Sequence, residues 1–339
     1  MNILFTCAGR RNYLINYFKE SLQNQGKIFA ADMNLTAPAM VDADIAIKVP
    51  NIYDTNYIST LKKIVIQNKI DAIISLNDLE LPILSKHKSF FEDNGVKVII
   101  SNEDVIEIAF DKLKTFHFIN KIGLNTPQTF TNLNEAINAI NSNQISISTV
   151  VKPRWGSASI GIDLPDSLTE LELSFKLQQL KLKKSILNTA SENDFDNAII
   201  IQERLVGKEF GMDIINDFNG NYIGTFVREK LNMRSGETDK AMSVIDDRFN
   251  EIGYVISKNL KHIGTLDCDV FESNGKLYVL ELNPRFGGGY PFSHEAGLNT
   301  TAMYIEWLKG NNDISSFVKY KEGLIFSKCD RMLKINTSE

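Results

Sequence analysis

Two fold classes in succession are what this 339-residue sequence predicts: a doubly wound α/β domain on a parallel sheet, ending near residue 110, then an α+β unit with antiparallel strands. The first observation is rhythm. Up to residue 110, short β-branched runs alternate with helix-length amphipathic stretches, as they do where helices cover a parallel sheet. The second is a change of that rhythm at Asp111, after which one helix gives way to β-rich runs with long connections. The third is the segment 265–285, whose alternation sorts acids to one face and apolar residues to the other.

Strands are expected at 3–6, 28–31, 46–49, 72–75 and 96–100, each a short apolar run bounded by turn-forming residues. Between them Tyr13, Leu14, Tyr17 and Phe18, then Tyr57, Ile58, Leu61, Ile64 and Val65, recur at the three-to-four spacing of helices with one buried face. The polar stretch 167–197 contains Leu171, Leu173, Phe175, Leu177 and Leu180, and reads as a helix followed by a flexible loop without chemistry. Beyond Asn311 no motif remains, so a final strand and a frayed tail are expected. The resulting units are 1–110, 111–201, 202–310 and 311–339, with no internal repeat.

An apolar content of 43% is ample for a buried core, and the mild net charge of -5 gives no electrostatic reason for a nucleic-acid or anionic-membrane partner. Cys7, Cys268 and Cys329 are odd in number and far apart, which fits neither a disulfide framework nor a zinc site, so a reducing cytoplasm is expected. The opening MNILFTCAGRR has too short an apolar run for a signal peptide, and no run approaches the ~18 apolar residues of a membrane span.

The chemistry begins in TLDCDVFESNGKLYVLELNPR, residues 265–285. Read as a three-residue hairpin loop, Ser273-Asn274-Gly275 pairs Glu272 with Lys276 and Asp267 with Glu281. Asp267, Asp269, Glu281 and Asn283 then share one face, and Leu266, Cys268, Val270, Tyr278, Leu280 and Leu282 take the other. Three carboxylates on one face repel unless a cation or cationic side chains lie among them. Oxygen ligands without His or Cys favour magnesium, which completes its octahedron with water and phosphate oxygens and so implies a nucleotide nearby. The alternative is a solvated hairpin face with surface acids.

VVKPRWGSASIGI, residues 150–162, is a strand ending in Lys152 and a small-residue loop between Gly156 and Gly161. Its Gly156, Ser157 and Ser159 let backbone N–H groups approach a phosphate, although the string is neither a Walker A loop nor a GxGxxG fingerprint and also suits a plain hairpin. AIIIQERLVGKEFGMDII, residues 198–215, reads as two strands joined by Leu205-Val206-Gly207-Lys208, with Glu203 and Glu209 on either side to hold adenine and ribose, or as an ordinary exposed hairpin.

Taken in order, these segments resemble the ATP-grasp superfamily, and within it the proteins like the carbamoyl-phosphate-synthase large subunit, over about residues 1–310. The resemblance implies a pre-ATP-grasp Rossmann-like domain at 1–110, a small lobe with the phosphate lid at 111–201 and a large lobe with the metal site at 202–310. It implies ATP contacts at Lys112, which opens a helix, at Lys152, and at Gln202, Glu203, the Leu205 backbone and Glu209. It further implies magnesium, with manganese as a substitute, on Asp269, Glu281 and Asn283, and a charge-stabilising Arg285 in the Asn283-Pro284-Arg285 signature. Carbamoyl phosphate synthesis in its familiar form uses two tandem grasp units and a glutaminase, whereas this sequence has one grasp unit.

The expected reaction is amide formation through an acyl phosphate, with ADP and phosphate released, on small-molecule carboxylate and amine substrates. Bicarbonate-dependent carboxylation and a non-catalytic ATP sensor are the other classes. Arg228, Lys230 and Arg234 in VREKLNMRSGETDKA, expected to face the ATP site, and His294 after three consecutive glycines are candidate substrate contacts, each with a plain structural reading beside it. Arg10-Arg11 suits an anion at a switch-like sheet edge, or a helix-start salt bridge. No NAD site is expected from Gly9 alone, His87, His117 and His262 read as structural, and a homodimer is the default assembly.

Overall fold

In the computed structural model, which describes residues 1–156 and 161–335, the strands β1 (Asn2–Thr6), β2 (Lys27–Asp32), β3 (Ile45–Lys48), β4 (Ala72–Ser75) and β5 (Lys97–Val98) form a parallel sheet in the order β3-β2-β1-β4-β5. Alternation along β1 builds a core on each face of the sheet. Ile3 and Phe5 pack with Leu14 and Phe18 of helix α1 (Asn12–Leu22), while Leu4 packs with Tyr57 and Leu61 of helix α2 (Tyr57–Asn68). Because strand order reverses between β1 and β4, the connections leaving those strands diverge and open a crevice at their carboxyl ends, where such folds place ligands.

Helix α3 (Lys112–Lys121) leads into a small antiparallel sheet of β6 (Thr129–Phe130), β7 (Thr149–Pro153) and β8 (Ile199–Glu203), ordered β6-β8-β7. Helix α4 (Leu168–Leu182), capped by Ser167, buries Leu171, Phe175 and Leu182 against it. A six-stranded antiparallel sheet follows, from β9 (Lys208–Asn216), β10 (Tyr222–Arg234), β11 (Glu237–Val244), β12 (Thr265–Ser273), β13 (Lys276–Asn283) and β14 (Ile325–Ser327), ordered β13-β12-β9-β10-β11-β14. Helix α5 (Asp247–Leu260) covers one face, packing Phe249, Ile256 and Leu260 with Met212, Ile214, Leu266 and Cys268. The opposite face is left for polar side chains.

Four local expectations are corrected. The hairpin loop has two residues, not three: Asn274 and Gly275 both adopt positive φ, 51° and 74°, the geometry of a type I′ turn, and Ser273 pairs with Lys276. That register alone would set Asp269 opposite Leu280, but a bulge between Asp269 and Val270 shifts the pairing by one residue, so Glu281 stands opposite Asp269 and not, as expected, opposite Asp267, which pairs with Asn283. The acidic face is therefore the expected one, reached by a different turn and a compensating bulge, and the core residues of β13 beyond the bulge are Leu277 and Val279 in place of Tyr278 and Leu280. Second, β8 and β9 belong to different sheets, so the link between them is a crossover and not a hairpin. Third, the stretch after α4 is not a bare loop; it forms a short helix and a 3-10 turn at Asn188–Ser191 and Glu192–Asn197, from which Asp194 reaches Arg154 at 2.7 Å. Fourth, the C-terminal segment is tied down as far as Arg331, whose guanidinium meets Asp42 of the first domain at 3.1 Å.

His262 is fully buried beside β9, its Nε2 3.0 Å from the Ile214 carbonyl and its Nδ1 3.4 Å from Asn216. Burial lowers its pKa from 6.5 to about 4. Between those values the unfolded chain binds the extra proton, so stability is full above pH 6.5 and falls as pH drops toward 4, by roughly 3 kcal/mol in total. Urea midpoints measured from pH 7 to 4 should fall more steeply in the wild type than in His262→Asn. No helix among the described residues is long and apolar enough to cross a membrane.

Candidate functional site

Two lysines enter one cavity from the small sheet and the helix before it. Asp111 caps α3 by accepting from the N–H groups of Leu113 and Lys114, and Arg154 grips the same carboxylate through two bonds of 2.7 and 2.6 Å. The first helical residue, Lys112, is thereby fixed; its ammonium donates to the Gly156 carbonyl and lies 3.9 Å from Glu281. Lys152, near the end of β7, makes no ion pair among the described residues and lines the same cavity, which Glu209, Asp269, Leu280 and Glu281 close from the large sheet. Trp155, Gly156 and Ile162 border its side.

Burial pulls Lys152 down from 10.5 to about 8, with Lys112 adding to the fall and Glu281, Asp269 and Glu209 opposing it. While charged, the buried ammonium lowers stability at every pH below about 8; between 8 and 10.5 the unfolded chain holds the extra proton, so stability rises with pH across that window. An anionic ligand beside Nζ favours the charged form and raises the pKa again. A polyphosphate anion that binds beside Nζ at pH 8.5 should therefore bring with it the uptake of roughly half a proton or more. Calorimetry in buffers of different ionisation enthalpy should detect that uptake, and Lys152→Met should abolish it.

The acids on the open face of the large sheet are interleaved with cations. Lys230 sits 2.7 Å from both Glu209 and Asp269. Arg228, on β10, reaches across β9 to Asp267 on β12 at 2.8 Å while pairing with Asp213 at 2.6 Å. That path exists because the intervening residue is Gly211, where a Cβ would stand 2.9 Å from the guanidinium. Gly287 and Gly289 act similarly from above, each leaving no room for a Cβ, which would lie 2.2 Å from Asp267 and from Arg228 respectively. The three-glycine run thus packs against an ion pair. Arg285 is buried with its guanidinium on Asp78, at 2.6 and 3.0 Å, and on the Phe286 carbonyl at 3.0 Å.

A second cavity adjoins the first and shares Asp269 and Glu281 with it; its other charged walls are Arg11, Arg228, Lys230, Glu237, Asp267 and Arg285, with Asn283 beside them. Glu281 is the pivot. It faces both cavities, and its bonded partners are Asn283 Nδ2 at 3.4 Å and the more distant Lys112. No group of three or more His, Cys, Asp or Glu among the described residues is arranged to hold a metal alone. The donor set at this point, two directly opposed carboxylates and an amide oxygen on neighbouring strands, fits a hard cation such as magnesium that takes few protein ligands and draws the rest from phosphate and water.

Of the residues singled out from the sequence, the first cavity brings together Lys112, Lys152, Gly156, Glu209, Asp269 and Glu281, and the second Arg228, Lys230, Asn283 and Arg285. Others stand apart. Gln202 is buried with its amide donating to Thr129 Oγ1 at 2.9 Å, and Glu203 accepts from the Gln128 N–H at 3.3 Å. Leu205 lies half-buried on the crossover. Arg234 extends to the exposed end of β10 and pairs with Asp239 and Asp330, so it does not face the cavities. His294 stacks on Tyr17 with centroids 3.7 Å apart and lines a different cavity between α1 and the C-terminal helices. Ser157 and Ser159 lie outside the described residues. Sequence reasoning missed Asp213, Asp78 and Glu237. Asp213 carried a signal, since a lone acid inside the apolar run of β9 demands a buried partner.

Residues 3–99 match the family model for a PylC-like N-terminal domain, and residues 195–332 match the model for an ATP-grasp in the biosynthetic pathway with Ter operon. The segment 195–332 is thereby of the ATP-grasp family. The chain is 24% identical over 291 residues to the carbamoyl phosphate synthase large chain of Haemophilus ducreyi, an alignment that covers 78% of the chain and only 25% of that relative. It superposes on the biotin carboxylase domain of Hydrogenobacter thermophilus 2-oxoglutarate carboxylase, described in complex with MgADP and bicarbonate, with a TM-score of 0.71 at 16% identity, covering 95% of this chain and 71% of that one. It also superposes on the L-amino acid ligase of Bacillus licheniformis with a TM-score of 0.67 at 18% identity, covering 95% and 77%. At those identities the solved structures speak for the ATP-grasp fold.

Proposed function

We propose that this protein is an ADP-forming ligase that uses ATP to activate a substrate carboxylate as an acyl phosphate and passes the acyl group to an amine. The observation that carries the reading is the pair of adjoining cavities with Asp269 and Glu281 as their common wall. One cavity offers lysines for phosphate, the other offers fixed cations for an anionic substrate, and the shared acids mark where phosphoryl transfer would occur.

In this reading Lys112 and Lys152 hold the phosphates, and Glu203 at the end of β8, Leu205 on the crossover and Glu209 on β9 hold adenine and ribose, with Gln202 bracing the strand behind them. Asp269, Glu281 and Asn283 would hold magnesium, whose charge neutralises phosphate oxygens as bond order shifts. Arg285, kept rigid by Asp78, faces the substrate side and stabilises charge developing on the transferred group, so catalysis is positioning and electrostatics without a protein nucleophile. Trp155 and Ile162 shield the first cavity from water, which an acyl phosphate requires until the amine attacks. Arg228 and Lys230 are held in two-sided ion pairs and position Asp267 and Asp269.

Product analysis with ATP and pools of carboxylates and amines tests this. ADP, phosphate and a new amide in equal amounts are expected; release of AMP, or no nucleotide turnover with any pool, contradicts it. A second reading, carboxylation through carboxyphosphate, draws on the bicarbonate described in the Hydrogenobacter domain. ADP formation that depends on bicarbonate and fixes carbon without an added carboxylate would favour it.

A further inference from the structure

Every cation on the walls of the second cavity but one has a carboxylate partner. Arg228 is held by Asp213 and Asp267, Lys230 by Glu209 and Asp269, and Arg285 by Asp78. Arg11 is the exception. It leaves the carboxyl end of β1 at the point where strand order reverses, and its Nη1 donates to two backbone carbonyls, Leu76 at 2.9 Å and Phe286 at 2.8 Å. No carboxylate pairs with it among the described residues, and it lines the cavity with its remaining N–H groups unbonded. The helix-start salt bridge read from the sequence is absent there. Two carbonyls orient the side chain without neutralising it, which leaves a full positive charge, half-buried, fixed in direction and costly to keep unpaired.

Arg11 is also set back from the proposed reaction centre. Arg11 lines the second cavity and not the first, and it meets Arg285 at the Phe286 carbonyl to which both donate, whereas Asp269 and Glu281 stand on the wall that the two cavities share. A carboxylate being activated sits at that shared wall, so Arg11 faces another part of the molecule.

Resting on the ligase reading above, we propose that Arg11 is a specificity residue that binds a second anionic group of the substrate, remote from the carboxylate being activated. The substrate class is then a small molecule with at least two anionic groups, either a dicarboxylate or a phosphorylated carboxylic acid. Both present oxygen pairs that the planar guanidinium can bind bidentately at the edge opposite its two carbonyl bonds.

The test is calorimetric titration of the full chain, without nucleotide, with matched probes: succinate against butyrate, and 3-phosphoglycerate against glycerate. At least one probe with two anionic groups should bind about tenfold more tightly than its partner with one, succinate leading for a dicarboxylate substrate and 3-phosphoglycerate for a phosphorylated one. That advantage should vanish in Arg11→Met and persist in part in Arg11→Lys. Should Arg11→Met fail to fold, Arg11→Gln, which keeps a donor for the carbonyls, takes its place. The proposal is overturned if the wild type does not distinguish the members of either pair, or if the advantage survives removal of the guanidinium. Because no turnover is needed, a failed ligase assay beside a preserved preference for two anionic groups would sink the ligase reading and leave Arg11 as an anion site.

Discussion

In the proposed mechanism Glu281 holds the cation whose charge supplies several kcal/mol of stabilisation in phosphoryl transfer, so Glu281→Gln should lower ATP turnover at least ~1000-fold. The fold should not register the change. Glu281 makes one long hydrogen bond to Asn283 and one distant ion pair with Lys112, and neither holds strands together. The amide is isosteric and keeps an acceptor, so the urea midpoint should stay at the wild-type value. Steady-state ADP release beside equilibrium unfolding checks both halves. A variant with unchanged turnover would remove Glu281 from the mechanism, and one with a large loss of stability would make it a structural residue.

Arg228→Met should have the opposite profile: a loss of about 3–5 kcal/mol of stability. Arg228 is 1% exposed and Asp213 is fully buried, and the arginine stands between Asp213 and Asp267. Removing it leaves Asp213 without its cationic partner and Asp267 with only the more distant Arg285, at 3.8 Å. The cost comes from those uncompensated charges and not from the net strength of the ion pairs. Consequently Arg228→Met combined with Asp213→Asn and Asp267→Asn should recover much of the loss, and chemical denaturation of the single and triple variants would show whether it does. Equal destabilisation of both would point to packing volume instead.

How far the sequence discloses this molecule depends on which interactions fix each part. The parallel domain and the acidic ribbon were legible because alternation and apolar periodicity are local, and both are what burial on a sheet selects. The turn was misread because Ser273-Asn274-Gly275 admits two loop lengths, and the bulge at Asp269 that compensates is set by pairing with β9 as well as β13. Whether β8 and β9 form a hairpin depends on partners elsewhere in the chain: β8 pairs with β6 and β7, β9 with β10 and β12. The same limit applies to side chains. Lys112, Lys152 and Glu281 could be singled out by motif, but Arg228 and Arg234 lie on one strand and have opposite fates, one crossing Gly211 into the core and the other reaching Asp330 at the surface. Asp78 and Arg11 come from the first domain and meet Arg285 and Phe286 across more than two hundred residues of sequence, which no local pattern records.

The claim beneath all of this is that nucleotide phosphates and a divalent cation lie between the lysines of the small sheet and the acids of the large one. A crystal structure of the protein with MgADP tests it most directly. The account predicts phosphate oxygens within hydrogen-bonding distance of Lys152 Nζ, and a cation with a Glu281 oxygen about 2.1 Å away. Nucleotide bound in any other cavity, or phosphates beside Lys152 with no cation at Glu281, would contradict it.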